Sequence, residues 1–513
     1  MNNLLNKTFK AQKLGRSLEL FIVVAVFGII LMIVIVQPLD GDTWWHLRAG
    51  EVTLNQGKPL TIDTFSYTKF GQSWASHGWL TELWLYSMYL VGGFTALTIW
   101  IALMALLVVT IIFFQMEGPP VYRVVLSLFV ALLLLPFLKA RPQMTSLVFF
   151  ILTFWILHLF RTQKRDLIVW LIPIFILWAN FHGGFVAGFL IILITLIGDS
   201  IGRIFNEPGS SHLNRSQTLK LIVVLLLCAI AVMIHPLGIK VWTTLYNTMQ
   251  VGGERALIVE WASPDFHDPV MQLYLWFLLG TLVIFSVTPR KVSWVELMIF
   301  SAFTAMGFIW RRNLSFMVVY GMVIISKYLW SFIEKQFKNI NSNLMRITRN
   351  IAAKIKIGMR QNTPKGIRIL FWILIAYVWF GAEYKIYMIT TPRSMTRWEG
   401  QLFPVKAKEW IVNNKPERNM LNSYNWGGYF EWYLRDYPVY LDSRADLFGN
   451  EIIYQWMDVM DAKGDWQEIL KKWDINFIVV EPGWRIVDLL PYYGWNELYR
   501  DDQSVIFGRE SSN

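Results

Sequence analysis

Eleven apolar runs, at 20–39, 94–115, 121–138, 143–160, 166–182, 183–203, 217–236, 270–289, 293–310, 312–333 and 366–390, limit what this chain can fold into. Each is close to the length of helix that crosses the hydrocarbon of a bilayer. Hydrophobic residues make up 55% of the 513, charged residues only 16%, and mean hydropathy is +0.41. A soluble protein of this size carries more charge. The expected fold is a polytopic α-helical membrane protein of about 11 transmembrane helices, with a large first outer loop and a small C-terminal extracytoplasmic α/β domain. The 26 Trp and 20 Tyr suit interfacial belts.

Charge placement orients the chain. Lys7, Lys10, Lys13 and Arg16 precede the first run and fix the N-terminus inside. That run is too long for a cleavable leader and lacks a small-residue cleavage site, so it reads as a signal anchor. Arg161–Asp166 (RTQKRD), the 203–220 loop with Arg203, Arg215 and Lys220, and TPRK at 288–291 then fall inside. So does the basic segment 334–366, where Leu344, Ile347, Ile351 and Ile355 give it an apolar face. It reads as an amphipathic helix on the anionic inner leaflet, with a solvated charge run as the plainer alternative. The net charge of +11 therefore reflects membrane sidedness, and nucleic acid is not an expected partner. The single cysteine, Cys228, excludes an intramolecular disulfide and a cysteine metal site.

The outer stretch 39–93 is the densest in chemistry. Asp40, Asp42, His46, Glu51, Asp63, His77 and Glu82 stand among Trp44, Trp45, Trp74 and Trp79. Thr43–Gln56 reads as a short helix that Asp42 caps, and Gly78–Leu90 as an aromatic helix along the interface. LKARPQ at 138–143, ANFHGG at 179–184, IHPLG at 234–238, VEWASPDFHDP at 259–269 and WRRN at 310–313 reach the same side. From Thr391 the composition becomes soluble, giving a membrane module at 1–390 and a domain at 391–513. RNMLNSY, PVYLD and INFIVVE read as buried strands of a parallel or mixed sheet, with helices near 403–413, 427–434, 450–472 and 484–489.

Asp40-Gly41-Asp42 is a DxD. Two carboxylates so spaced can share a divalent cation, Mg2+ or Mn2+, with Glu260 as a third ligand, or one can act as a base. The plain alternative is helix capping and solvation. Arg141, Arg311 and Arg312 could bind phosphate through forked hydrogen bonds, or anchor helix ends. His46, His77, His182, His235 and His267 map outside, as sugar ligands, acid–base groups or interfacial side chains. No pair has the spacing of a helical zinc motif. Glu260 and Asp265 could bind an acceptor or simply form turns. Asp442, Arg444 and Asp446 follow a strand, where α/β clefts form, though a structural ion pair fits equally.

DTWWHLRAG (42–50), DTFSYT (63–68), HGWLTE (77–82), EWASPDF (260–266), NWGGY (425–429) and LDSRAD (441–446) resemble the signatures of a group of bacterial membrane proteins. That group belongs to the type C glycosyltransferases, polytopic enzymes that use polyprenyl- or dolichyl-phosphate sugars. The resemblance spans nearly the whole chain and implies a bacterial cytoplasmic membrane location. It also implies hexosyl or pentosyl transfer from a lipid-phosphate donor to a glycan, lipid or protein acceptor. The class's acidic base after the first span falls on Asp42, then Asp40. Arg141, Arg311 and Arg312 would take the lipid phosphate; His46, His77, Glu82, His182, His235, Glu260 and Asp265 would shape the substrate pocket. The rival readings are a flippase of lipid-linked glycans, which needs polar residues across the midplane, and a non-catalytic scaffold for envelope glycan assembly.

Overall fold

The computed structural model describes residues 19–74, 76–163, 165–207, 212–244, 259–339 and 364–509. Most of the basic segment 334–366 and the N-terminal Lys7, Lys10, Lys13 and Arg16 lie outside the described residues. Every apolar run corresponds to a helix. Trp79–Gln115, Pro120–Phe137, Gln143–Thr162, Phe185–Ile204, Pro269–Val287, Arg311–Gln336 and Ile369–Thr390 are long and apolar enough to cross a membrane. Glu19–Val34, Ile168–Phe181 and Trp294–Ile309 are shorter apolar helices, and Arg215–Ala231 completes the set. This is a multi-pass membrane protein with a small mixed-sheet domain at its C-terminus.

Helix starts follow local chemistry. Pro120, Pro269 and Pro392 occupy first turns, where the missing N–H has no partner to lose. Asn214 and Gln217 form a reciprocal capping box on Arg215–Ala231. Trp79–Gln115 is two helical legs broken at Gly92–Gly93, so the expected 78–90 helix and the 94–115 run share one element.

The bundle has two chemically distinct ends. Arg161 and Arg203 meet Asp199 at one end, where Arg290 also meets Glu117 and Lys220 meets Asp166. At the other end stand Asp40, Lys139, Arg141, Glu260 and Arg312. The loops that charge placement assigns to opposite sides thus fall at opposite ends.

The C-terminal domain is built on a four-stranded sheet ordered β1-β2-β4-β3, with β1 Met420–Asn422, β2 Phe477–Val480, β3 Trp495–Arg500 and β4 Val505–Arg509. β1 and β2 are parallel; the β2–β4 and β3–β4 pairs are antiparallel. The expected strand at 438–442 is not part of this sheet. The side chain of Asn422, at the end of β1, holds it instead, accepting from Tyr440 N at 2.8 Å and donating to Leu441 O at 2.8 Å. Val439 instead pairs with the outer loop, its N–H donating to Phe65 O at 3.1 Å and its carbonyl accepting from Tyr67 N at 3.1 Å. The expected helix at 450–472 is two, Ala445–Met460 and Trp466–Lys472, separated by a turn with Gly464 at φ 55°.

The outer loop and this domain share one core. Trp45, Leu60, Phe65 and Trp74 pack in a cluster with Tyr424, Leu441, Phe448, Trp456 and Phe507. Trp44 is fully buried, with the rings of Phe94, Phe403 and Tyr429 edge-on around it at 5.5–5.7 Å. Helix Gly427–Tyr433 crosses the start of Thr43–Gln56 so closely that a Cβ on Gly428 would stand 3.1 Å from Gly41 O. Segments 39–74 and 391–509 therefore lie on one side of the membrane, and the chain between them crosses it an even number of times. The ten runs from 94 to 390 satisfy that.

Candidate functional site

Helix Thr43–Gln56 has the expected bounds, but its cap is Asp40. Asp40 Oδ1 accepts from Asp42 N at 3.0 Å, Thr43 N at 2.9 Å and Thr43 Oγ1 at 2.9 Å. Asp42 occupies the N-cap position without a side-chain cap bond. Two distant partners draw its carboxylate away: Arg141 Nη1 at 2.7 Å, and the Ser443 hydroxyl, which donates to Oδ1. Ser443 Oγ in turn accepts from Trp45 Nε1 at 3.0 Å.

Arg141 is the hub. Its Nε lies 2.6 Å from Asp40 Oδ2 and its Nη1 3.0 Å from Glu260 Oε2, while Lys139 Nζ lies 2.6 Å from Glu260 Oε1. Burial alone would raise the Asp40 and Glu260 carboxyls, but Arg141 and Lys139 outweigh it and bring each down to about 2. A cation shared by Asp40, Asp42 and Glu260, which the DxD spacing allows, does not fit this donor set, because the Arg141 guanidinium already occupies the convergence point. Among the described residues no group of three or more His, Cys, Asp or Glu side chains is arranged to hold a metal.

A cavity of about 350 Å³ lies against this network. Asp42, His46, His77, Arg141, His182, Glu260 and Arg312 line it from the membrane module. Tyr424, Asn425, Ser443, Arg444 and Asp446 line it from the C-terminal domain, so the expected cleft of that domain is one wall of a shared site. A second, more apolar cavity of about 180 Å³ adjoins it, with Phe137, Leu147, Val186, Leu190, Met306 and Phe316 in its wall. His77, Gln143, His182, Trp261 and Arg312 line both.

The sequence-predicted residues divide accordingly. Arg312 lies over the Trp261 ring at 4.6 Å, whereas Arg311 lines neither cavity. His182 Nδ1 accepts from Gly184 N at 3.2 Å, so its lone pair is there and the Ser146 hydroxyl, 2.6 Å away, donates to it, while the Ser146 oxygen accepts from Trp178 Nε1 at 2.7 Å. The His182 proton is thus on Nε2. Burial, with Arg312 nearby, holds this imidazole well below the usual histidine range, so it stays neutral. His77 Nδ1 stands 3.9 Å from Asp446 Oδ2. His46 Nδ1 lies 3.0 Å from Glu82 Oε1, and Glu82, wholly buried, lines neither of these two cavities.

His235 also lines neither cavity; its Nδ1 accepts from Leu237 N at 3.1 Å, and burial pushes it down to about 4. Asp265 and His267 form an exposed pair at 2.9 Å, apart from both cavities. Asp442 makes a buried pair with Arg444, whose guanidinium also meets Asp63 at 2.9 Å and Glu431 at 3.4 Å. Burial and then Asp442 raise the Glu431 carboxyl well above its ordinary value. Asp446 accepts from Trp74 Nε1 at 3.1 Å.

Ser443, Lys139, Ser146 and Gln143 went unassigned from the sequence. Lys139, Gln143 and Ser443 lie inside the quoted LKARPQ and LDSRAD stretches, which is the one signal that could have found them.

The fold and site define a multi-pass helical protein whose polar chamber is closed by a C-terminal domain. No protein-family model matches the chain, and no curated protein matches it. Among solved structures, ArnT from Cupriavidus metallidurans bound to undecaprenyl phosphate aligns with 96% of this chain and 98% of its own, at 13% identity and TM-score 0.44. ArnT from the same organism in the apo state aligns with 97% and 98%, at 12% identity and TM-score 0.46.

Proposed function

We propose that this protein is a membrane glycosyltransferase that moves a sugar from a polyprenyl-phosphate donor to an acceptor hydroxyl on the outer face of a bacterial cytoplasmic membrane. The observation that carries the reading is the pair of adjoining cavities. A polar chamber of about 350 Å³ beside an apolar one of about 180 Å³, with five lining residues in common, suits a ligand with a charged, oxygen-rich head and a hydrocarbon tail. The residues common to both cavities include Arg312 and His182, a guanidinium and a neutral Nε2–H donor. They stand where the phosphate joining head to tail would lie, and they would stabilise it as the sugar leaves.

In this reading Arg141 organises the chamber rather than binding phosphate, since three carboxylates already engage it. Asp42, steadied by Arg141 and Ser443, orients the acceptor hydroxyl. Tyr424, Asn425 and Asp446 give the C-terminal domain the wall that selects the acceptor.

The test uses protein in lipid nanodiscs with a panel of polyprenyl-phosphate sugars, following release of free polyprenyl phosphate. Wild type should release it with at least one donor, and Asp42→Asn and Arg312→Gln should release far less. Folded wild type that consumes no donor would refute the proposal.

A further inference from the structure

We infer that His46, oriented by Glu82, is the group that takes the acceptor's proton; this rests on the transfer reading above. His46 is one helical turn beyond Asp42, its N–H donating to Asp42 O at 3.1 Å. Side chains so spaced share a helix face, and both of these line the polar cavity. Glu82 fixes the imidazole. Ser76 Oγ accepts from Gly78 N at 3.1 Å and donates its proton to Glu82 Oε1 at 2.6 Å. The same oxygen lies 3.0 Å from His46 Nδ1. Glu82 is thus the acceptor of two donors, and His46 carries its proton on Nδ1 with the lone pair on Nε2. Trp45 lies against the imidazole, ring centroids 3.6 Å apart, and holds its plane.

Asp42 is differently placed. Each of its oxygens already accepts from Arg141 or Ser443, and the lone pair left on each is what orients the acceptor hydroxyl. Nε2 of His46 has no such partner among the hydrogen bonds of the described residues. In the reaction the acceptor oxygen bonds to the anomeric carbon as the bond from that carbon to phosphate oxygen breaks. That electron pair leaves with the phosphate, and the acceptor's proton passes to His46 Nε2. Glu82 then faces an imidazolium, the charge state its carboxylate favours.

A purely structural pin between two helices would show the same hydrogen bond, so the test reads proton affinity. Wild type and Glu82→Gln, which keeps an oxygen for Ser76, are acylated with diethyl pyrocarbonate across a pH series in nanodiscs, and the His46 peptide is followed by mass spectrometry. Turnover is measured over the same series for both proteins and for His46→Gln. Losing the carboxylate should move the pH dependence of His46 acylation to lower pH. The acid limb of turnover should move with it, and His46→Gln should lose at least about a hundredfold in rate. Equal acylation midpoints, or turnover by His46→Gln with the acid limb intact, would overturn the inference. Should wild type consume no donor, the transfer reading fails, and the acylation arm alone still decides whether Nε2 is the basic atom of this cavity.

Discussion

Gly50 sets how closely helix Thr43–Gln56 approaches the first turn of Trp79–Gln115. A Cβ built there would stand 2.2 Å from Glu82 O, 2.7 Å from Glu82 C and 2.8 Å from Tyr86 Cβ. A carbon needs about 3.3 Å from a carbonyl oxygen, so Gly50→Ala pushes the two backbones apart by about 1 Å. The His46 Nδ1–Glu82 Oε1 distance of 3.0 Å then grows to about 4 Å, beyond hydrogen-bonding range. Overpacking of this kind costs about 1–3 kcal/mol, and loss of an oriented base costs about a hundredfold or more in rate. SDS titration in mixed micelles reads the first effect, and polyprenyl phosphate release in nanodiscs reads the second. Gly280→Ala is the control, because a Cβ there meets nothing within 4 Å. If Gly50→Ala matches wild type in both unfolding midpoint and turnover, the close approach does not position the site and the reasoning fails.

Arg141→Met should destabilise by about 3–5 kcal/mol, since three carboxylates lose their shared cation; adding Asp40→Asn and Glu260→Gln should recover part of that in SDS titration. Asp40 and Glu260 both titrate near 2 in the fold, against ordinary values of 3.8 and 4.5. Their folded values are depressed, so the stability they supply is present above pH 4.5 and is lost as pH falls through 2. An unfolding midpoint that does not fall over this window, or that falls equally in Asp40→Asn with Glu260→Gln, would contradict the network. Arg312→Gln should raise the donor KM about tenfold or more while leaving thermal stability near wild type, as read from initial rates.

Much of this architecture was legible because lipid restricts the backbone so severely. Each apolar run had to become a helix, and basic residues had to collect at one end. The bounds of Thr43–Gln56 were legible too, but its capping residue was not. Asp40 and Asp42 are equivalent locally, and the choice between them is made by Arg141 and by Ser443, some four hundred residues away in sequence. Arg311 and Arg312 looked alike for a similar reason. They sit in a tight 3-10 turn, where successive side chains diverge by about 120°, so one reaches the cavities and the other does not. Of the five outer histidines, His46, His77 and His182 line the chamber, and nothing in their local sequence separates them from His235 and His267. β3 was missed because Asn496, Glu497 and Leu498 are all exposed, which leaves no apolar alternation to read.

The shared core of the outer loop and the C-terminal domain bears on how the protein is made. Leu60, Phe65 and Trp74 leave the ribosome hundreds of residues before Leu441, Trp456 and Phe507, the side chains that bury them. The loop must therefore wait, its indoles uncovered, while the remaining helices enter the bilayer. The chamber is finished only when the last strands have been synthesised and have docked. A truncation that removes β4 would leave the membrane helices inserted but the 39–93 loop without its counterpart. Expression of the domain from residue 391 alone would lack Trp45, Phe65 and Trp74 from its own interior. Assembly thus runs from last-made to first-made segment, and the site matures only at the end of biogenesis.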